Sequence, residues 1–138
     1  MENSSEPFRS LECDVFLPMC PASMVLGLLA EKWALLVIHA LSEKTYRTAE
    51  LRRRIGGISE KMLIQALKKL EKHGLVSRRS YPEVPPRVEY SLTRLGLSLS
   101  GVVRELDRWV EEHALEIADW AAQPAKAADG AVPARAPA

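Results

Sequence analysis

The sequence predicts a mostly α-helical α+β domain with one small β-hairpin, and three features carry that expectation. A short helical stretch is stopped by Gly56-Gly57 and followed by a second helix that opens on Ser59 and closes on Gly74. Two β-rich runs flank the proline-rich segment 82–86. A long segment from residue 94 to about residue 121 carries apolar residues three or four apart.

The first dozen residues are polar and include Pro7, so residues 1–19 are expected to form a flexible arm. Pro21 suits the first position of a helix, with Cys20 at its cap, and that helix should reach about Leu29. Residues 32–41 predict a second helix with Trp33, Leu36, Val37, Ala40 and Leu41 on one face. Thr48 is the expected cap of a third, two-turn helix holding Leu51 and Ile55.

Ser59 then caps a helix over 60–73. Its stripe Leu63, Ala66, Leu67 and Leu70 should be buried, and Glu60, Lys61, Ile64, Gln65, Lys68 and Lys72 lie on the other side. Residues 75–81 and 87–92 predict a hairpin with a stiff proline tip. Thr93 caps the long helix 94–121, whose apolar positions are Leu99, Val102, Leu106, Trp109, His113, Ile117 and Trp120. Two Trp on one helix are a large apolar area for a small domain, and a partner subunit is expected to cover them. Residues 122–138, rich in Ala and Pro, cannot bury enough to offset their ordering entropy and are expected to be disordered. The folded domain is therefore placed at 20–121.

The net charge of +1 hides an asymmetry. Residues 1–46 hold 3 basic and 6 acidic side chains, residues 47–94 hold 12 and 5, and residues 95–138 hold 4 and 7. A basic middle of +7 between two flanks of −3 is the distribution expected when one part of a chain meets an anionic polymer.

Other classes find little support. The longest uncharged stretch, 15–30, is too short to span a bilayer and contains Pro18, Pro21 and Gly27. The residues ahead of it are acidic, unlike a secretory signal, so a cytoplasmic location with reduced Cys13 and Cys20 is expected. No glycine-rich phosphate loop, nucleophile elbow or acid–base pair is present, so no enzyme and no cofactor are expected. His39, His73 and His113 stand at no ligand spacing from the cysteines, so no metal is expected either.

Two short helices joined by a glycine turn, the second basic and followed at once by a hairpin, have the element order of a winged helix-turn-helix. The residues also resemble the HxlR-type winged-helix regulators of bacteria and archaea. The resemblance runs from Cys20-Pro21 through Lys32-Trp33, Arg47 and Glu50-Leu51 to the run 57–63. It continues through Leu67, Leu70-Glu71, Gly74-Leu75-Val76, Tyr81, the run 84–93, Gly96 and Trp109. Glu31 and Thr48 depart from the pattern, where the family usually has Gly and Phe.

The resemblance implies a homodimer joined by its N- and C-terminal helices on a palindromic double-stranded DNA operator, more often as a repressor than an activator. Met24, Leu28, Leu99, Val102, Leu106, Trp109, Ile117 and Trp120 are the expected interface residues. On the second helix of the motif, Ser59, Lys61, Gln65 and Lys68 should face the major groove. There Gln65 can pair with adenine, Lys61 can reach guanine or phosphate, and Ile64 can touch a thymine methyl. Arg78, Arg79 and Arg87 on the wing should meet backbone or minor groove, with Arg52, Arg53 and Arg54 as accessory phosphate contacts.

Cys20 is the candidate sensor. A thiol at a helix start meets unpaired amide donors and the positive end of the dipole, which favour the reactive thiolate. Relatives of this kind use the Cys of the Cys-Pro pair to sense oxidants or small electrophiles, in some cases through an inter-subunit disulfide. A buried space-filling role is the alternative for Cys20, and Cys13, in acidic surroundings, is the weaker candidate.

Overall fold

The computed structural model describes residues 13–124. The first twelve residues of the expected arm and all but the start of the expected tail lie outside the described residues. Residues 13–19 form two linked turns, with Leu17 N–H donating to the Asp14 carbonyl (3.1 Å) and Cys20 N–H to the Leu17 carbonyl (3.0 Å).

Among the described residues five helices and three short strands follow: α1 Pro21–Leu29, α2 Lys32–Glu43, β1 Tyr46–Arg47, α3 Thr48–Arg54, α4 Glu60–Lys72, β2 Val76–Tyr81, β3 Arg87–Leu92 and α5 Arg94–Ala121. The sheet order is β1-β3-β2, antiparallel throughout. The expected hairpin is thus the larger part of a three-stranded sheet. The strand the sequence did not suggest, β1, has only two residues, pairing Tyr46 with Tyr90 and Arg47 with Glu89. Two residues are too few to show an alternating pattern.

Thr48 is the first residue of α3, and Arg47 stands at its cap. The acceptor there is the Glu50 carboxylate, which takes the Arg47 N–H at 2.9 Å, so the expected Thr48 cap is corrected by one residue. Ser59 caps α4 as expected, its hydroxyl accepting from Met62 N–H at 3.1 Å. At the other end Gly74, at φ 75°, adopts the left-handed conformation that lets Gly74 N–H reach the Glu71 carbonyl and Leu75 N–H the Leu70 carbonyl.

The core is built from Ala34, Val37, Ile38, Ala40 and Leu41 of α2, Leu51 of α3, and Leu63, Ala66, Leu67 and Leu70 of α4, closed by Tyr46, Val76 and Tyr90 of the sheet. The α4 stripe is the one its spacing predicts. In α2 the buried face turns toward Ala34 and Ile38, leaving Trp33 and Leu36 only partly covered.

The described chain divides into two units, at Val103 and Arg104 within α5. In the first, Gly96, Ser100 and Val103 are buried, and Leu99 is half-buried against the core. Leu99, expected at a subunit interface, therefore packs inside its own domain. Gly96 sits so close to the α4–β2 junction that a Cβ there would lie 2.0 Å from the Leu75 carbonyl oxygen. Thr93 fastens this contact: its hydroxyl donates to the Gly74 carbonyl and accepts from Gly96 N–H at 3.1 Å. In the second unit Trp109 stacks on His113 (4.5 Å, 17°) and Arg108 pairs with Glu105 at 2.9 Å. Among the described residues no single helix is long and apolar enough to cross a membrane. α1 and α2 together have the length, but the chain bends by 79° between them.

Candidate nucleic-acid interface

The helix-turn-helix is α3 and α4. Burying Leu63, Ala66, Leu67 and Leu70 turns the opposite side of α4 outward, and Lys61, Gln65 and Lys68 are all exposed there. Their spacing of four and three residues keeps them on one face. None of the three has an intramolecular ion pair among the described residues, so their polar groups are available to an outside partner. Ser59 stands at the start of the same helix. Its oxygen accepts the Met62 N–H, which leaves its own O–H able to donate. Ile64 is half-buried against the core, so only part of its side chain remains for contact with a base methyl.

The other cations divide into paired and unpaired. Arg54 is held by Glu43 through two hydrogen bonds, Nε to Oε1 at 2.9 Å and Nη2 to Oε2 at 2.8 Å. Glu43 also accepts from the Tyr46 hydroxyl at 3.0 Å. The Arg54 guanidinium pushes the Glu43 carboxyl down to about 2. Arg54 thus ties α3 to the end of α2, which corrects its expected role as an accessory phosphate contact. Arg52 leans on Glu60 at 3.9 Å, whereas Arg53 has no ion pair among the described residues and lines a shallow groove with Ala49, Arg52 and Ile58. Lys69 is paired with Glu31 at 3.3 Å.

The wing presents its arginines unequally. In a strand successive side chains alternate in face. The register pairs Arg79 with Glu89 and Tyr81 with Arg87, so these four share one face, while Arg78, opposite Tyr90, lies on the other. On the first face the Arg87 guanidinium sits 3.9 Å from the Tyr81 ring centroid and pairs with Glu83 at 3.1 Å and Glu89 at 3.6 Å. The Tyr81 hydroxyl donates to Glu89 at 3.3 Å, and Arg79 lies 5.0 Å from the same ring. Arg87, expected to meet DNA directly, is therefore a strut of the wing, with its Nε buried and lacking a hydrogen-bond partner. Arg78 stays exposed and has no ion pair among the described residues.

The sequence showed Glu83 only in the proline-rich tip and Glu89 only as a member of a matching run, without the cluster they build around Arg87. The hairpin tip and the start of α3 also enclose an open cleft of about 400 Å³ lined by Arg47, Thr48, Ala49 and residues 83–88.

Away from this surface, Cys20 caps α1 and is half-buried. The backbone amides of Ala22 first and Asp14 second favour its thiolate and hold the thiol below its usual range, although no side-chain hydrogen bond caps the helix there. Cys13 is exposed, and its own thiol is pushed up by its hydrogen bond to the Cys20 sulfur. Among the described residues no group of three or more His, Cys, Asp or Glu could hold a metal ion. Of the expected interface residues, Met24, Val102, Leu106, Trp109, Ile117 and Trp120 are exposed, and Leu28 is half-buried.

Residues 28–118 match the HxlR-like helix-turn-helix family. This chain belongs to that family. It is 46% identical over 106 residues to the HTH-type transcriptional regulator YtfH of Escherichia coli strain K12, a match spanning 77% of this chain and 84% of that protein. The solved structure of the putative regulator ytfH from Salmonella typhimurium superimposes with a TM-score of 0.76 at 42% identity, over 81% of this chain and all of that one. The reduced form of the regulator YodB from B. subtilis gives a TM-score of 0.58 at 38% identity, over 68% and 93% of the two chains. YodB is also solved after diamide treatment. The HxlR-like protein described here is thus a winged helix-turn-helix transcriptional regulator, of a family that binds DNA and is not enzymatic.

Proposed function

We propose that the protein is a sequence-specific repressor that binds a palindromic operator in the cytoplasm as a homodimer and releases it when Cys20 meets an oxidant or electrophile. One observation carries the DNA reading. Within the basic middle, where Arg52, Arg54, Lys69 and Arg87 are paired with carboxylates, Lys61, Gln65 and Lys68 form an outward face on the second helix of the motif that has no ion pair among the described residues. A helix of this width fits the major groove, with Ser59, Arg53 and Arg78 placed for phosphates on either side.

The homodimer is supported by the exposed apolar side chains of α1 and α5, among them two Trp about half exposed. Thiol sensing is supported by the helix-start position of Cys20 and by the amide donors that favour its thiolate. Footprinting on DNA upstream of the protein's own gene, with and without diamide, tests the whole reading. A protected palindrome that loses protection on oxidation in wild type but not in C20S supports it. Binding without sequence preference at moderate salt would remove the operator assignment, and unchanged release in C20S would remove the sensor.

A further inference from the structure

We propose that the wing tip is an apolar wedge: Val84, stiffened by the prolines around it, enters the minor groove beside the operator and opens a base step there. This deepens the operator reading above and rests on it. Val84 is fully exposed (101%), more than any other exposed large hydrophobic side chain among the described residues. All five residues of the tip, 82–86, are exposed, and three of them are proline. A hairpin tip that meets only water is ordinarily built from Gly, Asn, Asp or Ser. Single exposed apolar residues are common on protein surfaces, and what sets this one apart is how it is held and what surrounds it.

The tip is rigid before it meets DNA. Proline fixes φ at three of its positions. Glu83 N–H donates to the Tyr81 carbonyl at 2.8 Å, and the Glu83 carboxylate pairs with Arg87 at 3.1 Å. Arg87 in turn rests on the Tyr81 ring and pairs with Glu89. Little conformational freedom is left to lose on insertion. The same cluster keeps the tip electrically neutral, because Arg79 and Arg87 balance Glu83 and Glu89. A neutral apolar tip gains nothing from phosphates and suits the sugar and base faces, where inserted apolar side chains unstack a step. Cations for the phosphates flank it. Arg78 lies on the opposite face of β2, and exposed Arg47, with no ion pair among the described residues, borders the cleft that Val84, Pro85 and Pro86 line. Six-residue strands give the wing about 20 Å of reach. Major and minor groove centres are half a turn, about 17 Å, apart along the duplex axis. With α4 in the major groove, the tip therefore meets the adjacent minor groove. Pyrimidine–purine steps unstack most easily, so the wedge makes the operator prefer TA or CA/TG at a flanking position that no side chain hydrogen-bonds.

The test selects duplexes from a random library, long enough for two half-sites and their flanks, on the full-length protein as wild type, V84S and V84I. Val84 is fully exposed, so both variants keep the fold, which circular dichroism checks. All three proteins should enrich the same positions under α4, and only wild type and V84I should also enrich a flanking pyrimidine–purine step. A 2-aminopurine placed at that step should brighten when wild type binds and stay quenched with V84S. V84S should bind this duplex about tenfold more weakly, with an unchanged slope of log affinity against log salt, because an apolar contact releases no counterions. A flank without step preference in wild type, the same preference in V84S, or a 2-aminopurine that stays quenched with wild type would overturn the wedge and leave the operator reading standing. If none of the proteins enriches any sequence, the operator reading falls and the wedge falls with it.

Discussion

Replacing Gly96 by Ala should destabilise the protein although it adds a better helix former to α5. In an exposed helix interior the exchange is worth about 1 kcal/mol in favour of Ala. At Gly96 the new Cβ would stand 2.0 Å from the Leu75 carbonyl oxygen and 3.1 Å from a Leu92 methyl, and the first of these is backbone that cannot swing aside. Moving α5 off the junction costs about 3 kcal/mol as overpacking. It also weakens Thr93 N–H to the Leu75 carbonyl and Gly96 N–H to the Thr93 hydroxyl, both 3.1 Å, at about 1 kcal/mol each. The net loss is then about 4 kcal/mol. Gly101, in the same helix, has nothing within 4 Å of its Cβ position, so G101A should gain about 1 kcal/mol. Urea unfolding followed by circular dichroism, at one fixed protein concentration because a dimer's stability depends on it, measures both. G96A at or above wild-type stability would refute the close-contact argument.

Further outcomes follow from the charged groups and the cap. The Glu43 carboxyl is held below its unfolded value by Arg54 first and Tyr46 second, so it stabilises the fold above about pH 4.5 and loses that contribution as pH falls toward 2. Both partners are a third to a half exposed, so after screening E43Q should cost about 1 kcal/mol at neutral pH and nothing in acid, read from thermal unfolding at several pH values. K68A should weaken operator binding and reduce the slope of log affinity against log salt by about 1, by fluorescence anisotropy. R87M should weaken binding through a disordered wing but leave that slope unchanged, since Arg87 is engaged by Glu83 and Glu89; an equal fall in slope would place Arg87 on a phosphate instead. S59A should cost about 1 kcal/mol through the lost bond to Met62, measured by urea unfolding.

Much of this protein was legible in one dimension because its strongest signals are local. A stripe at helical spacing, a Ser before a helix and a Gly after it act within a few residues, and they placed α4 and α5 to within a residue of their observed ends. The face of α4 that carries Lys61, Gln65 and Lys68 followed from the same periodicity, being what remains when the apolar side is buried. Tertiary structure alone decided which cations are spent. Arg54 and Arg87 are indistinguishable from Arg53 and Arg78 as letters, but Glu43 lies eleven residues from Arg54, and Glu89 reaches Arg87 through strand alternation and Tyr81 through cross-strand register. Leu99 turned inward and β1 found its partner some forty residues away for the same reason. Those contacts depend on how the chain returns to itself, and sequence spacing carries no record of that path.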